Sequence, residues 1–98
     1  MADESKAPAL DFNALVLSLG SSAIVHLGEA PDPTTGQKRD QPELALAQHS
    51  IDLLAILQDK TRGNLTIEEA RFLENILYDL RMLYVHVSQR QSAPAEKR

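Results

Sequence analysis

The chain predicts an all-α fold, a small bundle of three helices over about 11–27, 42–61 and 66–89. Three observations carry that prediction. Apolar residues recur at helical spacing in three separate segments. Each segment is bounded by helix-starting or helix-ending residues: Asp11 and Gly28, Pro42 and Gly63, then Thr66 and a polar stretch after Gln89. No segment alternates apolar and polar residues for long, and no Asn-Gly hairpin turn is present, so no strand competes. Residues 1–10 and 91–98 are polar, contain Ala and Pro, and lack periodicity. They read as disordered tails around a single helical domain over 11–90.

The first helix follows from a stretch without a charged residue, Phe12 to Gly28. Asp11 is placed to cap it, and Gly28 suits the left-handed position that closes a helix. Phe12, Val16, Leu19, Ala23 and Leu27 share one face, while Leu17 and Ile24 lie on another. A helix apolar nearly all round must be buried. The expectation is therefore burial by other helices together with a partner. Gly20, Ser21, Ser22 and Ala23 form a small-residue patch, which predicts close approach of a second helix. The stretch is shorter than the roughly 20 residues of a spanning helix. It holds three serines and His26, and an acidic segment precedes it, so neither membrane insertion nor a signal peptide is expected.

The second helix is expected to start with Pro42 in its first turn, where the missing N–H does no harm. Leu44, Ala47, Ile51, Leu54 and Ala55 share one face. Leu46, Leu53 and Leu57, with Ile56 nearby, share a nearly opposite one, and Gln48, Asp52 and Asp59 form a polar strip between them. Two apolar faces mean that the helix is central or that one face meets another molecule. The third helix opens on Thr66-Ile67-Glu68-Glu69, a capping box. Its stripe of Ala70, Leu73, Ile76, Leu77, Leu80, Leu83, Tyr84 and Val87 is broad, as a bundle helix requires. Between the first two helices, Pro31-Asp32-Pro33-Thr34-Thr35-Gly36 predicts an ordered turn.

Composition narrows function. The chain has 98 residues, no cysteine and a formal net charge of −4. Cysteine-based catalysis, redox chemistry and zinc-thiolate sites are excluded. The scattered Lys and Arg do not form the basic footprint that nucleic acid needs. His26, His49 and His86 lie on different helices; an acid follows His26 and His49 at i+3 (Glu29 and Asp52), but no HExxH pair is present, so no metal site is expected. No GxSxG elbow and no phosphate-binding glycine loop is present. The residues point to a non-catalytic interaction module without a cofactor. Its candidate contact residues are Leu46, Leu53 and Leu57 on the second helix and Tyr78 and Arg81 on the third. Asp79 and Arg81, two apart, cannot face each other on a helix.

Five strings in order, Ser21-Ser22-Ala23 with Leu27-Gly28, Pro31-Asp32-Pro33-Thr34-Thr35-Gly36, Ile51-Asp52-Leu53-Leu54, Lys60-Thr61-Arg62-Gly63-Asn64-Leu65 and Leu77-Tyr78-Asp79-Leu80-Arg81, carry a resemblance. Over about Phe12 to Val87 the chain resembles a small bacterial family catalogued as a domain of unknown function, the eighteen-forty-four family. That resemblance implies a small helical cytoplasmic protein and supplies no chemistry. Within the family, a narrower resemblance to a member from gliding bacteria implies a regulator of guanine-nucleotide exchange. Its implied partners are a Ras-like GTPase of the MglA type and a response-regulator protein of the RomR type, acting at the cell pole. A structural homo-oligomer, whose spare apolar faces meet each other, is the alternative.

Overall fold

A computed structural model of the chain describes residues 10–96, with side chains described over 10–91. Three helices follow one another: α1 Phe12–His26, α2 Leu44–Lys60 and α3 Ile67–Glu96. No strand occurs among the described residues, so the predicted all-α bundle of three helices is the fold. Residues 1–9 of the expected N-terminal tail lie outside the described residues.

The caps follow the sequence closely at α1 and α3. Asp11 is extended, and its carboxylate accepts the Ala14 N–H at 2.8 Å. At the other end Glu29 N–H reaches Ile24 O and Gly28 N–H reaches Val25 O, with Gly28 at φ +79°. This paired closure requires the left-handed conformation that glycine takes without strain. At α3 the Thr66 N–H donates to Glu69 Oε1 at 2.9 Å, and the Glu69 N–H donates to Thr66 Oγ1 at 3.0 Å. The capping box is therefore formed from both sides.

Two boundaries differ from expectation. Pro42 is not in the first turn of α2, which starts at Leu44 behind a Glu43 cap residue without a side-chain cap bond. Glu43 instead gives its N–H to His26 O at 2.7 Å, tying the start of α2 to the end of α1. Helix α3 runs past the expected end near Gln89 to Glu96. The expected C-terminal tail is thus helical backbone through Glu96, and its last two residues lie outside the described ones. Ion pairing of Arg90 with Glu29 at 2.6 Å and a Gln91–Gln41 hydrogen bond at 3.2 Å hold this part against the α1–α2 connection. Apolar periodicity reports burial, and this polar end of the helix has little to bury.

All three helix pairs touch. The main core joins Val16 and Ala23 of α1, Ile51 and Leu54 of α2, and Leu73, Leu77 and Leu80 of α3. A smaller cluster of Leu27, Ala47 and Val87 closes one end. Gly20 lets α1 approach α3: a Cβ there would stand 3.3 Å from Ile76 Cγ2. Gly20 and Ala23 thus have the packing role expected of the small-residue patch, whereas Ser21 and Ser22 do not share it.

The mutual contact of all three helices decides the question of α2. It is not a central layer, and Leu46 and Leu53 of its second apolar face, with Ile56, point away from the core. Helix α1 also departs from expectation, for Leu15, Leu17, Ser18, Ser21 and Ser22 are all exposed. Within the chain its burial is one-sided.

Candidate functional site

Each helix turns one face inward and leaves apolar side chains on the other. On α2, Leu54 is fully buried while its neighbour Leu53 is 38% exposed. Leu46 and Ile56 are exposed beside it. Leu46, His49, Leu53, Ile56 and Lys60 follow one another at alternating steps of three and four, so they form a single outward stripe. Leu57 does not join it: it is half-buried and packs against the core. The polar strip is present as Gln48 donating to Asp52 Oδ1 at 2.8 Å.

On α3 the outward stripe is Tyr78, Met82 and Val85, all exposed, with Tyr78 at 64%. Arg81 is exposed one turn along from Tyr78. The structure therefore brings Tyr78 and Arg81 onto one side of α3, and Leu80 between them turns into the core. Sequence reasoning missed Met82 and Val85. Their spacing of four and seven from Tyr78 was the available signal.

The connection 27–43 is the other built feature. Asp32 Oδ1 accepts the Thr34 N–H at 2.8 Å and the Thr34 hydroxyl at 2.7 Å. Backbone bonds from Thr35 and Gly36 to Asp32 O close the turn, with Gly36 at φ +74°. The Thr34 hydroxyl and amide, with Arg39 and His26 adding smaller attraction, hold the Asp32 carboxyl below its ordinary 3.8 against a small opposing effect of burial. Arg39 then clasps the connection. Its guanidinium meets Glu43 Oε1 at 3.0 Å and Asp32 Oδ2 at 3.7 Å. Arg39 is not among the candidate residues that the sequence singles out. Its acids at i−7 and i+4 come together only in the folded turn.

Between this turn and α1 lies a cleft of about 330 Å³, lined by Ser18, Ser21, Ser22, Val25, His26, Asp32, Pro33 and Arg39. Two polar atoms at its edge, His26 Nδ1 and Arg39 Nε, are buried without a hydrogen-bond partner. His26 Nδ1 stands 4.0 Å from Glu43 Oε1. No group of three or more His, Cys, Asp or Glu side chains able to hold a metal occurs among the described residues. No helix among them is long and apolar enough to cross a membrane.

These features define a class: a small three-helix protein whose α2 and α3 carry outward apolar stripes, with a clasped polar turn connecting α1 to α2. The model of the family described as a domain of unknown function (DUF1844) matches residues 9–86. The chain belongs to that family. No curated protein and no solved structure is similar enough to match.

Proposed function

We propose that this protein is a non-catalytic regulatory module that acts by binding other proteins through the outward faces of α2 and α3. The observation that carries the reading is the α2 stripe of Leu46, Leu53 and Ile56, exposed on a helix whose opposite side already completes the core. Tyr and Arg, here Tyr78 and Arg81, are favoured interface anchors. The resemblance to RomX, which works with the response regulator RomR on the Ras-like GTPase MglA, supports a finer reading. In it the module belongs to a complex that promotes guanine-nucleotide exchange, recruits the GTPase and acts at a cell pole. Such an activity needs no catalytic side chain. A surface that binds the nucleotide-free GTPase more tightly than the loaded form lowers the barrier to release.

Titration calorimetry of the chain against the purified GTPase and response regulator tests the binding reading. Leu53→Asp is expected to abolish or strongly weaken heat release while leaving the helical spectrum intact. Unchanged binding by that variant removes the α2 face from the account.

A further inference from the structure

The α3 stripe has a geometry that its apolar content alone does not state. Arg71, Asn75, Tyr78, Met82, Val85 and Gln89 follow at steps of four, three, four, three and four. That is the narrow seam along which one helix meets another, not the broad stripe of a bundle face. With Asn75 and Met82 as a positions and Tyr78 and Val85 as d positions, Glu74 and Arg81 flank one edge and Asp79 and His86 flank the other.

The charges on this seam are unspent. Arg39, Arg62 and Arg90 each have a carboxylate partner in the chain. Among the described residues Arg71, Glu74, Asp79 and Arg81 have no ion pair or hydrogen-bonded side-chain partner. They also argue against a second copy of this chain as the occupant. In the antiparallel register that stacks Tyr78 on the second copy's Met82, Arg81 meets the second copy's Arg81 and Asp79 meets the second copy's Asp79. In the parallel register Glu74 meets the second copy's Asp79. Like charges facing across a helical seam are unfavourable and set partner choice.

We infer that the Tyr78–Met82–Val85 seam receives an amphipathic helix of a different protein, one that places a carboxylate against Arg81 and a basic side chain against Asp79. This rests on the reading of the chain as an interaction module and names the chemistry of its partner. Tyr78 and Met82 supply the apolar contact, and the alternation of Arg81 with Asp79 selects the partner and its direction.

Two synthetic helical peptides with the same leucine stripe test it on the full-length, isotope-labelled chain. One carries Glu on the Arg81 edge and Lys on the Asp79 edge, and the other has these reversed. The matched peptide is expected to bind about fivefold or more tightly than the reversed one, shifting the amides of residues 78–85. The double variant Asp79→Lys with Arg81→Glu, exposed at both positions and checked by its helical spectrum, is expected to invert the preference. Binding of neither peptide, equal binding of both, shifts confined to α2, or a stable dimer of the chain through α3 each overturns the inference. No nucleotide or GTPase enters this experiment, so its failure is distinct from failure of the exchange-complex reading.

Discussion

Leu53 and Leu54 are neighbours in sequence and opposites in the fold, and truncating each to alanine separates core from contact face. Leu54 is fully buried between α1 and α3 in the main cluster. Leu54→Ala removes three buried carbons and leaves a cavity in the main core that the surrounding side chains close only in part. The expected cost is about 3–4 kcal/mol. Leu53 is 38% exposed and faces away from that cluster. Its truncation leaves no enclosed cavity and forfeits only partial burial, about 1–1.5 kcal/mol at the ordinary value per carbon. A domain of this size has a total stability of about 4–12 kcal/mol, so the two variants separate clearly in urea. Leu54→Ala is expected to lower the midpoint sharply at unchanged slope, and Leu53→Ala to lower it slightly. Equal losses would refute the reasoning, for they would mean that both faces of α2 are core.

Four further outcomes follow from the same geometry. Thr66→Ala removes one half of the capping box and is expected to cost about 1 kcal/mol in a denaturation midpoint, with fraying in the first turn of α3 seen by amide exchange. Gly20→Val pushes α1 away from Ile76 and is expected to cost about 1–3 kcal/mol, read by thermal unfolding. Arg39→Met leaves Asp32 and Glu43 without their shared cation, and faster amide exchange over 27–43 with little change in the helices is the expected signature. Because the Asp32 carboxyl is held below its ordinary 3.8 in the folded chain, its contribution is fully present above that value and is lost as pH falls through the lower folded one. A Thr34 amide titration is expected to show the turn opening only in that acid window, and opening near neutral pH would contradict it.

Much of the fold was legible because its signals are local. Asp11, Gly28, Thr66 and Glu69 act within one turn of their own backbone, so the sequence states their roles directly. The misplaced start of α2 has a non-local cause: Glu43 bonds to the end of α1, and nothing near Pro42 announces that. The late end of α3 was hidden for the converse reason. Arg90 and Gln91 are held by Glu29 and Gln41, far away in the chain, without the apolar period that marks a helix. At the candidate surface, the second face of α2 was visible as spacing, but its true members were not. Leu57 and Ile56 exchange places because, at about 100° per residue, Leu57 stands beside the buried Leu54 on the helix and Ile56 nearly opposite it. Arg39 was missed because its two acids lie seven residues before and four after it, a spacing that means nothing until the turn folds.

The most direct test of the central claim is release of a fluorescent GDP analogue from the Ras-like GTPase proposed as its partner, with the proposed response regulator present and this protein added or withheld. Acceleration that requires the wild-type chain and is lost with Leu53→Asp or Tyr78→Ala is the predicted result. Acceleration that survives both substitutions, or none with any folded form of the chain, would contradict a regulatory role for the α2 and α3 faces.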